Sequence, residues 1–337
     1  VVALSTVAAG VLALTVLSLL VGAAHLPPAR VLDYLLAHGD ARQDARLRLV
    51  VVTLRLPRTL AALIAGCALG VAGMLLQAAT RNPLAETGLL GVNAGAALGI
   101  VLGLSSAGVR SGPGLVAWSL AGALVASAVV LAVAGTGGRS VSPLRLVLAG
   151  AAIGATLRGL TSYLLLRDQG AYDEFRTWIL GSLATTSTHA ALTLLPVWGA
   201  GLLVAAVSVR PLSALALGDE AARSLGHRPA AIRLVVAVAV TLLAGVAVAL
   251  TGPIAFLGLL APYAARAVAP ARPTGQLVLC AGFGAAGLLG ADVLSRVLFQ
   301  PYETPVSVLI ALVGAPLLIW IARSGRGGAA TAVGAGS

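Results

Sequence analysis

The sequence predicts an all-α, polytopic integral membrane protein with about ten transmembrane helices. Three observations predict it. Apolar residues make up 59% of the 337-residue chain and charged residues only 10%, against roughly 25% charged in a soluble domain. The mean hydropathy is +1.00, so lipid must be the solvent for most of the surface. The apolar residues also fall in runs of about 20, cut by arginine, proline and glycine, which is the length a helix needs to cross the hydrocarbon core.

The first run covers about 2–24. It is too long for a signal peptide, lacks a small-residue cleavage pattern, and reads as the first span. The chain opens on Val1 without a Met, which leaves the true N-terminus open. A polar stretch at 25–54 follows, with His25, Pro27, Pro28, Asp33, His38, Asp40 and Asp44 among its arginines. The second span runs about 58–79 and stops before Arg81-Asn82-Pro83, where proline cannot continue a helix. The third covers about 88–104 and the fourth about 114–135; Arg139 and Arg145 bracket a short loop before the fifth at about 145–166. A polar segment from Arg167 to Arg176, with Asp168, Asp173 and Glu174, precedes a short helix near Trp178; it is either an outer gate or a solvated face. The sixth span covers about 190–209, a loop about 210–229, and the seventh span about 231–250. A short eighth helix is expected within 251–267, then a ninth at about 275–297 and a tenth at about 304–321. Residues 1–323 read as one transmembrane domain, and the Gly/Ala-rich composition of 324–337 as a disordered tail.

All 22 basic residues are arginine. A P-loop needs the lysine of GxxxxGK[ST] to reach the terminal phosphates, so ATP could act only through a separate ATPase subunit. No catalytic residue is assigned. The net charge of +11 does not indicate nucleic-acid binding, because the arginines are scattered between apolar spans rather than gathered on one face. They also divide evenly between the two sides of the expected topology, so the positive-inside rule sets no orientation. Cys67 and Cys280 lie in apolar runs and read as small packed residues. His25, His38, His189 and His227 stand alone, and neither a CxxC nor a His/Cys cluster suggests a metal. Of the 41 glycines, many fall in GCALGVAG (66–73), GVNAGAALG (91–99) and GFGAAGLLG (282–290). Small residues there let helix backbones approach closely in lipid.

Several polar groups sit at the ends of spans. Arg55 and Arg58 share a helix face. Such guanidiniums suit either bidentate carboxylate recognition or contact with lipid headgroups. Asp292 and Arg296 are spaced for an internal i,i+4 pair. Intramembrane acids such as Asp292, with Glu303 near the boundary, also mark ion routes in some transporters. LGDEAARSLG (217–226) fits a short helix with Asp219 and Glu220 at its positive N-terminus and Gly226 as its C-cap.

The stretch RLPRTLAALIAGCALGVAGMLLQAATRNPLAETGLLGVNAGAALG (55–99) closely resembles the FecCD family, the membrane permeases of type II ABC importers for iron-siderophores, haem and vitamin B12. WILGSL (178–183), LALGDEAARSLG (215–226), GPIAFLGLLAP (252–262), GADVLSR (290–296) and ETPVSVLIALVGAP (303–316) extend the resemblance over nearly the whole chain. Tyr263 stands where the family usually has His, and Thr87 where it usually has Pro.

The resemblance implies the importer permease fold and a multi-pass position in the cell inner membrane. It implies that Arg55, Arg58 and Arg296 dock a periplasmic or lipoprotein substrate-binding protein. It implies a cytoplasmic gate made by Asn82 and Leu84, with Ser140 and Ser142 from the next cytoplasmic loop. It implies that Leu217, Gly218, Asp219, Glu220, Ala221, Ala222, Arg223, Leu225 and Gly226 form a coupling helix seated on the ATPase. The expected partners are an ATPase dimer, a second copy or homologous permease, the binding protein and membrane lipid. No cofactor is expected on this chain, since ATP-Mg would sit on the ATPase, and the expected cargo is an iron(III)-siderophore-type chelate. The same machine with haem or cobalamin cargo is the near alternative, and an ion-coupled secondary transporter the more distant one.

Overall fold

Long apolar runs have one low-cost conformation in lipid, the helix, because every backbone N–H and C=O must be satisfied within the segment. The structure, a computed structural model, describes residues 2–22, 26–109, 112–135, 143–268, 273–298 and 303–323. The expected gate residues Ser140 and Ser142 and the tail 324–337 lie outside these.

Seven helical stretches are long and apolar enough to cross a membrane. They are α1 (Val2–Leu20), the run Ala45–Thr80 that ends in α4 (Leu56–Thr80), α6 (Pro113–Gly135), α7 (Pro143–Arg167), α10 (Leu195–Ala216), α12 (Pro229–Thr251) and α14 (Pro273–Val297). Three shorter apolar helices join them: α5 (Val92–Ser105), α13 (Leu257–Val268) and α15 (Val306–Arg323). Helices therefore stand at all ten expected positions in order, seven of them long and apolar enough to span. Between them lie short connecting helices: α2 (Pro28–Leu35), α3 (Ala45–Arg48), α8 (Gln169–Ile179), α9 (Thr188–Thr193) and α11 (Asp219–Ser224).

Three boundaries differ from the sequence expectation, each for a physical reason. The polar stretch before the second span is not a loop throughout. Asp44 caps α3 by accepting from the Arg46 and Leu47 amides at 2.9 and 3.2 Å. The helix then passes through a π-helical segment, Leu49–Arg55, directly into α4. Val31 of α2 is buried with Leu47 and Val51 in a small apolar cluster that fixes this corner. In α10, the helix continues through Arg210 and Pro211, ending only where Gly218 takes φ 121°; proline is tolerated in membrane helices where neighbours re-satisfy the freed carbonyl. The eighth helix begins late. Gly252 ends α12 at φ 73°, the chain runs extended, and α13 starts at Leu257 after Phe256 at φ 67°. Non-helical backbone at this depth needs protein partners, and Glu86 supplies one by accepting the Phe256 N–H at 3.2 Å.

The core forms around α4 and α12, the two most buried spans. Apolar burial does not drive helices together in lipid, so van der Waals packing must. At the α4–α14 crossing this requires glycine. A Cβ on Gly66 or Gly284 would fall on the other's backbone, and one on Gly70 would strike the Cys280 carbonyl. The Gly-rich motifs are thus contact surfaces.

Candidate functional site

Polar side chains gather at the two opposite ends of the bundle. α4 links them, and its 25 residues span about 37 Å at 1.5 Å per residue.

At one end, the N-terminus of α4 meets the C-termini of α1 and α14. Asp292 is fully buried (0% exposed) and flanked by Arg58 (7%) and Arg296 (2%). Arg58 donates to Asp292 Oδ1 from Nε at 3.2 Å and from Nη2 at 2.8 Å. Its Nη1 also donates to both Glu303 carboxylate oxygens, at 2.9 and 2.7 Å. Arg296 pairs with Asp292 Oδ2 one turn back along α14 and donates to the Ser18 carbonyl at 2.9 Å and Oγ at 3.0 Å. Arg55 donates to the Leu19 and Leu20 carbonyls at 2.9 and 2.8 Å. These are carbonyls that the end of α1 would otherwise leave unsatisfied. The three arginines therefore clamp α1, α4 and α14 together within this chain, with Arg55 itself 3% exposed. An incoming carboxylate reaches Arg58 only by displacing Glu303 or Asp292, so charge reversal at Arg58 disrupts the fold along with any docking.

At the other end, Arg81 closes α4 in the left-handed conformation, φ 51°, which is uncommon for a side chain of this size. Asn82 Oδ1 then accepts the Leu84 N–H at 2.9 Å, forming an Asx turn that leaves Leu84 exposed. From this turn Arg81 reaches α11. It donates to the Leu215 carbonyl from Nε and Nη2 at 3.1 and 2.8 Å, and to Asp219 Oδ1 at 2.8 Å. Arg233 of α12 holds the same carboxylate at 2.7 and 3.0 Å. The hydrogen bond from Arg233 is the main cause of an Asp219 pKa below the ordinary carboxylate value. A carboxylate whose folded pKa is depressed contributes its stabilisation above the unfolded pKa and loses it as pH falls through the folded one. The anchor is thus complete near neutrality and fails only in acid.

α11 itself has the shape the sequence suggested. Gly226 at φ 79° sits in a Schellman cap, with the His227 N–H donating to Ala222 O at 2.9 Å and the Gly226 N–H to Arg223 O at 2.9 Å. Ala222 is buried, while Leu217, Arg223 and Leu225 are exposed around it. The structure brings Asn82 and Leu84 near α11 through Arg81, a residue that sequence reasoning did not single out. Arg233 and Glu86 were also missed. Their partners lie 14 and 170 positions away, beyond any local spacing rule.

A model of the FecCD transport family matches residues 10–324. The chain belongs to this family. Two relatives are similar over nearly the whole chain. The ferric enterobactin transport system permease protein FepD of Escherichia coli (strain K12) is 46% identical over 317 residues, covering 94% of this chain and 93% of FepD. The Fe(3+)-citrate import system permease protein YfmD of Bacillus subtilis (strain 168) is 36% identical over 311 residues, covering 92% of this chain and 91% of YfmD. Among solved structures, an inward-facing metal-chelate type ABC transporter superposes with a TM-score of 0.82 at 26% identity, covering 95% of this chain and 98% of the other. The FecCD architecture, a multi-pass helical membrane protein, is the one the sequence predicted.

Proposed function

We propose that this chain is the membrane-spanning permease subunit of an ATP-driven importer for iron(III)-siderophore-type chelates. Two copies, or this chain and a homologue, enclose the passage. The observation that carries the proposal is the 46% identity to a ferric enterobactin permease over nearly the full length of both chains. The geometry supports it: one bundle carries a buried arginine clamp at one end and an exposed short helix at the other. In this account α11 seats on a partner ATPase dimer that binds ATP-Mg, with Leu217 and Leu225 as apolar contacts. The binding protein meets the Arg55–Arg58–Arg296 end, and Asn82 and Leu84 close the passage on the ATPase side. The chain supplies differential contacts in the two transport states rather than chemistry.

An ion-coupled secondary transporter would use free carboxylates at mid-membrane, whereas Asp292 is held by two arginines. Capture tests the assembly. The affinity-tagged chain, solubilised from its own host, is expected to bring down an ATPase subunit. Arg223→Glu, which reverses a charge on the exposed face of α11, is expected to weaken that capture. No ATPase in the wild-type eluate would contradict the proposal.

A further inference from the structure

Among the seven long spans, α7 is the least apolar, with a hydropathy of 1.3 against 1.6 to 2.6 for the others, yet only 28% of its window is buried within the chain. α1 is also exposed, but it has a hydropathy of 2.2 and no charged residue, and so suits lipid. On α7, Leu146, Ala149 and Gly150 face the neighbouring helices. The outward stripe at helical spacing runs Leu144, Leu148, Ala151, Ala155, Arg158, Ser162 and Leu166, with leucines at its ends and small or polar residues around Arg158 in the middle.

Arg158 lies three residues past the midpoint of Pro143–Arg167, about 4.5 Å along the axis. It makes no hydrogen bond or ion pair among the described residues. Its guanidinium folds back over Gly154, where a Cβ would stand 3.4 Å from Nη1. Long helical side chains lean toward the N-terminal turn, and here that lean keeps the guanidinium near the helix middle. To snorkel to the closest interface, at Arg167, the side chain would have to turn against that lean. Left in hydrocarbon it would cost about 2.5–3.5 kcal/mol even on insertion scales. The middle of the stripe, around Arg158, therefore faces water or protein. The long spans of a second copy bring no free acid to that depth: among the described residues Asp292 is the single acid within them, and it is buried and paired.

We propose that Arg158 faces the water-filled passage and recognises the negative charge of an anionic iron(III) chelate, such as a tris-catecholate complex. The chemical class of the cargo rests on the importer function proposed above; the placement of Arg158 does not. A fixed cation between low-dielectric walls concentrates an anionic cargo and raises its entry rate. Neutral cargo gains nothing from it.

The test uses the complete importer in proteoliposomes. Arg158→Gln is expected to lower uptake of ferric tris-catecholate about tenfold, within the range such focusing supplies, while Arg158→Lys keeps most of it and ATP hydrolysis is unchanged in both. In a Cys67→Ala/Cys280→Ala background, the Arg158→Cys variant is expected to react with charged, membrane-impermeant thiol reagents, and the chelate to slow that reaction. Wild-type uptake by Arg158→Gln, or an unreactive Arg158→Cys variant, would overturn the proposal. If the wild-type importer moves no tris-catecholate, the assigned cargo fails, and thiol labelling still decides the placement: reaction supports the passage and silence overturns it.

Discussion

Asp292→Ala is expected to destabilise the bundle by about 3–5 kcal/mol, the cost of removing one partner from a buried ion pair. The magnitude follows from what is left behind. Asp292 is fully buried and accepts from two guanidiniums that are themselves buried. Without it, Arg58 retains Glu303 and Arg296 retains Ser18, but two positive charges then face each other with no shared counter-ion. Asp292→Asn keeps the shape and one acceptor and is expected to lose less. Thermal unfolding of the purified chain in detergent reads the difference. A loss below about 1 kcal/mol for the alanine variant, the level of an exposed pair, would mean that the clamp is solvated.

The second large effect is functional. Asp219→Ala removes the carboxylate that both Arg81 and Arg233 grip. In the proposed assembly α11 receives the motion of the ATPase, and Arg81 passes it to the Asn82–Leu84 turn. Loss of Asp219 removes the side-chain link between α11 and that turn, leaving Arg81 only the Leu215 carbonyl, while the exposed Leu217, Arg223 and Leu225 stay in place. ATP hydrolysis by the assembled importer is therefore expected to persist while uptake per ATP falls about tenfold, equivalent to roughly 1.4 kcal/mol of lost coupling. Asp219→Glu, which retains the charge, is expected to recover part of the loss. The diagnostic is the ratio of uptake to hydrolysis measured on the same vesicles. A proportional fall in both would place Asp219 in assembly rather than in transmission.

The helical architecture was legible because lipid makes hydropathy nearly decisive: each apolar run of about 20 residues became a helix. The C-cap of α11 was legible for the same local reason, since Gly226 follows a short helix with an acidic first turn. The Asp292–Arg296 pair was open to inspection as an i,i+4 spacing. What local patterns could not show is pairing across the bundle. Arg58 meets Asp292 from 234 positions away and Glu303 from 245, so arginines that looked like an outward-facing dock are enclosed by their own chain. The extended stretch before α13 was hidden too. GPIAFLG is as apolar as a helix, and only the positive φ of Gly252 and Phe256, with Glu86 as a remote acceptor, shows that it is not one. Arg158 was counted as one of many scattered arginines until its direction and exposure were visible.

The central claim is that this chain conducts an iron chelate only as part of an ATP-driven assembly. Uptake of radiolabelled ferric tris-catecholate into proteoliposomes tests it most directly. The vesicles would contain the chain with its captured ATPase and be supplied with the cognate binding protein. Uptake is expected to require enclosed ATP and the binding protein together, and to stop when a non-hydrolysable ATP analogue replaces ATP. Uptake that proceeds without ATP, driven by an ion gradient alone, would contradict it.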